Sequence, residues 1–154
     1  MITREIRNHE ILCKKYDLKP VIRLNTTSDI MWENHKIMEL FPGVIFYDYS
    51  KHFKRMLKYL KGDMPKNYHL TFSRNEANDF QSTQVLKAGG NVAVVFRKEL
   101  PATYKGFKVV SGDDHDLRFL DPSNVVVGLK EKLTIDKKTG KLGRDNSGFV
   151  VDLK

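Results

Sequence analysis

Cysteine is nearly absent from the sequence: Cys13 is the single example among 154 residues. One thiol excludes a disulfide within the chain, and it excludes a metal or iron–sulfur site that takes several cysteines from one chain. The residues around it, 10–17, are typical of a helix. This context predicts a structural thiol rather than a nucleophile.

Long apolar runs are also missing. No segment approaches the length of about 20 apolar residues that a helix needs to cross a bilayer. The first ten residues lack the apolar core of a signal peptide. The sequence therefore predicts a protein without membrane contact, located in the cytoplasm of a host cell.

Compact catalytic motifs are absent as well. The sequence has no Walker loop, no nucleophile-elbow serine and no G-x-G-x-x-G. It also lacks a spaced calcium-binding loop and a zinc pattern, so no resident metal is predicted. The less favoured alternative is magnesium or manganese on the acidic run 113–116, completed by Asp29 or Asp48. No nucleophile–base pair stands out, so the residues leave open whether the protein is an enzyme and which cofactor, if any, it uses.

The charge balance is basic. The 27 lysines and arginines exceed the 19 acidic residues and leave a formal net charge of +8, which favours polyanions or phosphorylated molecules as partners. Much of this charge lies in residues 51–66 and 129–144. A helical wheel of the first segment places five basic side chains largely opposite its apolar face: Lys51, Lys54, Arg55, Lys58 and Lys61. The last four form the candidate surface for a partner. We interpret this face first as solvated helix surface and second as a surface for nucleic acid or a protein partner.

Short apolar runs recur along the chain and predict strands. Several are apolar at consecutive positions, as in parallel strands covered on both faces, and the runs are residues 21–25, 44–49, 68–72, 92–96, 107–110 and 125–129. Segments typical of helices precede or follow the first three, at residues 2–16, 29–41, 50–62 and 75–89. This alternation predicts a single α/β domain over residues 1–154. We expect a mainly parallel sheet of about six strands with crossover helices, either open or curled as part of a barrel. Residues 134–148 are predicted to form a flexible basic loop or hairpin that turns at Thr139 and Gly140.

Polar residues cluster where the predicted strands end. Ligands of parallel α/β sheets bind outside the carboxyl ends of the strands, so these residues form a candidate ligand site. Its members are Arg23, Asn25, Ser28, Asp29, Asp48, Ser50, Lys51, Ser73, Arg74, Arg97, Asp113, Asp116 and Lys130. The alternative is that the serines, asparagines and aspartates cap helices, with Ser28 or Asp29 at the second helix and Ser50 at the third. For Arg23, pairing with Asp48 or Asp113 is as well supported as anion binding.

The acidic run after residue 110 is the most unusual part of this set. If the strand ends form a working site, Asp113 is expected to face Arg23, Asn25 or Asp29 across adjacent loops. Gly112 would then supply a sharp turn with a positive φ. The alternative is that Asp113 and Asp116 hold the loop through backbone amides and pair with Arg118.

Several sequence blocks resemble a known family. In chain order they are "RLNTTSDIMW", "FYDYSK", "NYHLTFSRNE", "NVAVVF", "GDDHDLRFLDP" and "GFVVD". Over residues 19–152 the chain is similar to phage- and plasmid-encoded proteins of unknown function related to the mycobacteriophage gene product 88 domain. The resemblance implies a distant likeness to the partial barrels of radical S-adenosylmethionine enzymes. It also implies that this chain begins after the cysteine-rich segment of its larger relatives. With Cys13 alone, a cluster held by three cysteines cannot form within one protomer, so radical chemistry is not expected.

Two classes of function fit these observations. The first is a phage or plasmid accessory protein that binds a nucleotide, nucleic acid or other anionic ligand at the strand ends, with a remnant enzyme as one form of this class. The second is a non-catalytic protein that inhibits a host defence complex, as anti-CRISPR proteins do, through its basic surface. Positive charge converging on the strand ends favours the first class. Charge on residues 51–66 and 129–144 favours the second.

Overall fold

The fold is a parallel sheet whose strands alternate with helices through the first hundred residues. The computed structural model describes residues 1–135, 140 and 142–153. The helices in these ranges are α1 (Ile2–Lys15), α2 (Ile37–Leu40), α3 (Phe53–Leu60) and α4 (Asp79–Lys87). The strands are β1 (Val21–Ile22), β2 (Ile45–Ser50), β3 (Tyr68–Ser73), β4 (Val92–Phe96), β5 (Thr103–Tyr104), β6 (Phe107–Ser111), β7 (Val126–Lys130), β8 (Thr134–Ile135), β9 (Leu142–Gly143) and β10 (Val150–Val151). Two short 3-10 helices lie at Trp32–His35 and Arg118–Leu120.

The main sheet has the order β1-β2-β3-β4-β7-β6-β5, with β10 also paired to β4. All of its pairings are parallel except the β5–β6 hairpin. The prediction of a mainly parallel α/β sheet is confirmed. The sheet has eight strands rather than six, because β5 and β10 are two-residue strands too short to show a pattern in the sequence.

Burial on both faces explains why the strands lack polar alternation. On one face, Phe46, Leu70 and Phe72 pack into the main core against the helices. On the other face, a smaller cluster forms around Val127 and Ala93. Since most of both faces of the central strands is buried, both sets of alternating positions are largely apolar.

Strand β10 divides the sheet at its carboxyl end. Strand β3 pairs with β4 through Val92 and Ala93 only, whereas β10 pairs with Val95 and Phe96 further along β4. Strand β7 occupies the other edge of β4 along its whole length. Strand β10 therefore takes the place of β3 next to the end of β4. The residues just before β10 enter the space between β3 and β4.

The predicted helix over residues 29–41 is wrong. A 3-10 turn at Trp32–His35 and the single-turn α2 replace it, and Lys36 between them has a left-handed φ of 54°. The side chain of Asn25 accepts a hydrogen bond from the Ile30 amide at 3.1 Å. This side chain holds the backbone in a loop and competes with helix formation.

The remaining predictions concern the segment 134–148 and contact with a membrane. Strands β8 and β9 pair antiparallel within the segment predicted as a loop or hairpin, and Thr139 of the predicted turn lies outside the described residues. Among the residues that the structure describes, no helix has the length and apolar character to cross a membrane.

Candidate functional site

A cavity of about 700 Å³ opens at the carboxyl ends of the parallel strands. We call it the first cavity. It brings together ten of the residues predicted from the sequence: Arg23, Asn25, Ser28, Asp29, Ser50, Lys51, Ser73, Arg74, Asp113 and Asp116. Residues not singled out from the sequence also line it, among them Thr26, Thr27, Tyr49, Lys132 and Phe149. The common location follows from the parallel pairing, which places all these strand ends at one edge of the sheet.

Asp48 lies beneath the first cavity rather than in its wall. Its side chain is 0% exposed and accepts hydrogen bonds from the Asn25 amide at 2.7 Å and the Tyr68 hydroxyl at 2.8 Å. Burial raises the pKa of the Asp48 carboxyl, while these hydrogen bonds act in the opposite direction. Asp48 therefore supports the site from below and is not placed to contact a ligand.

Asn25 fixes the loop that forms one wall of the first cavity. Its side-chain oxygen accepts hydrogen bonds from the Ser28 hydroxyl at 2.8 Å and the Trp32 indole at 3.1 Å. Its side-chain nitrogen donates to Asp48 at 3.1 Å. The loop that carries Thr26 and Thr27 is therefore held from within by one buried amide.

The prediction that Arg55 lies on the solvent face of a basic helix is wrong. Arg55 is 3% exposed, and it forms a bidentate pair with Glu33 at 2.9 and 2.7 Å and a further contact with Asp29 at 2.7 Å. Lys54, Lys58 and Lys61 are exposed, as the helical wheel indicates. Arg55 lies at the edge of the apolar face of α3, and its long side chain reaches inward to two carboxylates.

Asp29 and Ser50 anchor the end of β2. Asp29 accepts hydrogen bonds from the Lys51 backbone amide at 2.7 Å and the Ser50 hydroxyl at 3.1 Å. The Ser50 hydroxyl in turn accepts the His52 amide at 3.1 Å. This arrangement fixes the backbone of Lys51 and leaves its ammonium group free to point elsewhere.

The contact predicted between Asp113 and Arg23 is made by another aspartate. Arg23 pairs with Asp116 at 3.1 Å, whereas Asp113 accepts the backbone amide of Lys130 at 2.9 Å. The prediction assumed neighbouring strands, but β7 rather than β1 is the parallel neighbour of β6. Asp116 reaches Arg23 because the loop after β6 crosses the sheet.

Packing beneath this loop explains its path. Phe119 lies against Tyr47 and His69, with ring centroids 6.0 and 5.9 Å apart. The predicted pairing of Arg118 with Asp113 or Asp116 is wrong, since buried Arg118 approaches Asp121 at 3.4 Å. The Phe119 side chain therefore packs the loop against the sheet.

Gly112 lines the first cavity for a steric reason and not for a positive φ. Its φ lies outside the left-handed region, which corrects the prediction. A Cβ at this position would lie 2.6 Å from Val127, 2.8 Å from Arg118 and 2.9 Å from Leu129. The chain passes so close to these three side chains that only glycine fits without a shift.

Lys51 differs from the two arginines of the first cavity. Arg23 pairs with Asp116, and Arg74 pairs with Asp79 at 3.1 Å. In the part of the chain that the structure describes, no carboxylate lies within ion-pair distance of the Lys51 ammonium. This ammonium lies 5.6 Å from the centroid of the Phe149 ring. Its charge is therefore available to an anion in the cavity.

A second cavity of about 720 Å³ adjoins the first. Lys130 of the predicted set lines it, together with Arg144. The two cavities share five residues: Val95, Asp113, Leu129, Lys132 and Phe149. Arg97 lines neither cavity and pairs with Glu131 at 3.3 Å and Asp152 at 3.0 Å. Within the described ranges, no three acidic, histidine or cysteine side chains converge as metal ligands do.

Phe149 is the main residue that the strand-end rule missed. Phe149 precedes β10, a strand of two residues that is too short to show a pattern in the sequence. The Phe149 carbonyl accepts a hydrogen bond from Arg74 at 2.8 Å. The "GFVVD" block, in which glycine precedes an aromatic and two β-branched residues, was the available indication.

Tyr47 offers a local test of this geometry. Its hydroxyl donates to Asp116 at 3.0 Å, and burial together with this contact raises the pKa of Tyr47 to about 12. Since its folded-state pKa exceeds the ordinary value of 10.0, this residue's contribution to stability is complete below about pH 10 and is lost as pH rises through 12. We expect Asp116→Asn to lower the pKa of Tyr47 while leaving it above 10, because burial is unchanged. Titration of ¹³C-labelled tyrosine by NMR measures this shift, and an unaltered titration curve in the variant would contradict the contact.

The comparisons with known proteins identify one match. A family model described as Gene product 88 matches residues 1–152. Comparison with curated proteins and with solved structures finds no match. The matched range contains every residue that lines the two cavities.

Proposed function

The chain belongs to the phage-related gene product 88 family, and we propose that it acts in the host cell by binding a small phosphorylated ligand of the nucleotide class in the first cavity. The observation that carries this proposal is Lys51. Its backbone amide is fixed by Asp29 at 2.7 Å. Its ammonium lies 5.6 Å from the centroid of the Phe149 ring, which belongs to another lining residue, and it has no carboxylate partner among the described residues. A fixed lysine with an unneutralised charge supports the binding of an anion.

The surroundings of Lys51 support a nucleotide in particular. The volume of about 700 Å³ falls within the range of about 300–1,000 Å³ that is usual for small-molecule sites. Thr26 and Thr27 supply hydrogen-bonding groups in one wall, and Tyr49 and Phe149 supply aromatic surface. These groups fit phosphate oxygens and the flat face of a base, respectively.

We also propose that the sheet is curled like part of a barrel around this cavity. Strands β1 and β6 stand far apart in the strand order. The residues that follow them nevertheless meet, because Arg23 and Asp116 are 3.1 Å apart. A curled sheet accounts for this contact and for the enclosure of the ligand space.

The second candidate function is inhibition of a host defence complex through a basic surface. The exposed side chains of Lys54, Lys58 and Lys61 support it, because they present three positive charges on α3. The burial of Arg55 removes the fourth charge. The ligand site is the stronger proposal, since its cations converge on a cavity.

Charge reversal at Lys51 tests the proposed function. We expect the protein to bind at least one of the four common nucleoside monophosphates, measured by isothermal titration calorimetry at 150 mM salt. Lys51→Glu should weaken this binding at least about tenfold, because a hydrogen bond to a charged group contributes about 1.5–3 kcal/mol. The thermal melting temperature should change little, since the Lys51 side chain is exposed.

Lys54→Glu is the matched control for this experiment. It makes the same charge change at an exposed position on α3, outside the residues that line the first cavity. Retained binding in this variant supports the cavity. Loss of binding in Lys54→Glu with full binding in Lys51→Glu would transfer the function to the helix surface, and absence of binding by the unmodified protein would overturn the proposal.

A further inference from the structure

We infer that the two cavities form one binding site for two nucleotide units joined through phosphate. This inference rests on the proposed function and specifies its ligand. The cavities measure about 700 and 720 Å³ and share five lining residues. Each one falls in the size range of a site for a drug-sized molecule, so the joined space exceeds what one nucleotide fills.

Phe149 forms the boundary between the cavities. Its ring belongs to both linings, and its backbone is held on two sides. The Phe149 carbonyl accepts Arg74 at 2.8 Å, and the next residue, Val150, pairs with Val95 in the sheet. A fixed aromatic ring between two spaces provides a stacking surface for bases.

Both cavities are lined by cations and carboxylates together. The second cavity has Lys130, Lys132 and Arg144 beside Asp113, Glu131 and Asp145, and it shares Lys132 with the first cavity. With Lys51 in the first cavity and Arg144 in the second, each phosphate of a ligand that carries two has a cation to meet. The aromatic boundary and the cations together favour linked nucleotides over an inorganic polyanion, which has no base to stack.

The wall of the second cavity is held by its own hydrogen bonds. Asp145 accepts the Ser147 amide at 3.0 Å and the Ser147 hydroxyl at 2.8 Å. The Asp145 carbonyl accepts Arg97 at 2.8 Å, and its amide donates to Glu131 at 2.9 Å. These contacts place the loop that carries Arg144 next to the end of β7, so the second cavity is formed by ordered backbone.

A comparison of one-unit and two-unit ligands tests this inference. The probes are the nucleoside monophosphate that binds most tightly in the calorimetric panel and its 5′-phosphorylated homodinucleotide. We expect the dinucleotide to bind at least about tenfold more tightly, since a second base stacks and a second phosphate meets a cation. Arg144→Glu should weaken dinucleotide binding about tenfold and leave monophosphate binding within about twofold.

The control is Lys61→Glu, the same change of charge at the exposed residue that follows α3, which should leave both affinities unchanged. A dinucleotide that binds no tighter than the monophosphate, or an Arg144→Glu variant that binds both ligands as the unmodified protein does, would overturn the two-unit site and leave the proposed function standing. Failure of both ligands to bind would overturn the proposed function itself. Two joined nucleotide units belong either to a free dinucleotide or to the end of a nucleic-acid strand, and a phosphorylated strand of ten identical nucleotides distinguishes these ligands. If the strand binds as tightly as the dinucleotide or more tightly, the ligand is a strand end. If the strand binds more weakly, the ligand is a free dinucleotide.

Discussion

Replacing Arg55 with methionine is expected to lower the free energy of unfolding by about 3–5 kcal/mol, the usual result of removing one partner from a buried ion pair. The side chain of Arg55 is 1% exposed and lies 2.7 Å from both Asp29 and Glu33. Methionine keeps an unbranched apolar stem but leaves both carboxylates without their cation. The Tyr68 hydroxyl also loses a donor, so several buried polar groups become unsatisfied together.

Lys54→Met is the matched control for this prediction, since it removes a positive charge from the preceding, exposed residue of α3. We expect its free energy of unfolding to change by less than about 0.5 kcal/mol. Urea denaturation of the two variants and the unmodified protein gives the comparison. A loss below 1 kcal/mol in Arg55→Met would show that this ion-pair network does not hold the loop in solution.

Replacing Gly112 with alanine is expected to cost about 3 kcal/mol, at the upper end of the effect of overpacking. The added Cβ would lie 2.6 Å from Val127, 2.8 Å from Arg118 and 2.9 Å from Leu129. Val127 and Arg118 are both buried and have little room to move. Since Gly112 lines the first cavity, we also expect weaker nucleotide binding per folded molecule.

Gly43→Ala provides the contrast, because the nearest atom to its added Cβ is a side-chain oxygen of Glu10 at 3.8 Å. Alanine fits there, and the reduced freedom of the unfolded chain should raise the stability by about 0.4–1 kcal/mol. Thermal and urea unfolding of both variants measure the difference. If Gly112→Ala were as stable as Gly43→Ala, the close approach of the chain at residue 112 would be wrong.

The sequence was informative where the fold depends on local patterns. Consecutive apolar residues in β2, β3 and β4 predicted parallel strands, and the rule for strand ends located half of the residues that line the first cavity. The order of strands was not predictable in this way. The insertion of β7 between β4 and β6 depends on non-local packing, and it decides that Asp116 and not Asp113 meets Arg23.

Long-range contacts also explain the errors at single residues. A helical wheel assigns Arg55 to the surface because it considers one helix alone, whereas Glu33 and Asp29 come from a distant loop. The same loop replaces the helix predicted over residues 29–41, since the side chain of Asn25 satisfies its backbone from outside. Periodicity carries no information about such partners.

The position of β10 has a consequence for the order of folding. Val150 pairs with Val95 across a long stretch of chain, and such non-local contacts form late because loop closure must precede them. Strands β1 to β4 can assemble through contacts between residues that are closer in sequence. One edge at the end of β4 therefore stays unpaired until β10 pairs with it. A ligand that contacts Phe149 would bind only the finished sheet and would shift the balance toward it by mass action. The backbone amide of Arg97 donates a hydrogen bond to the Val151 carbonyl at 3.0 Å, so its hydrogen exchange should slow when ligand is added. This slowing should precede any change in the exchange of the amides that pair β2 with β3.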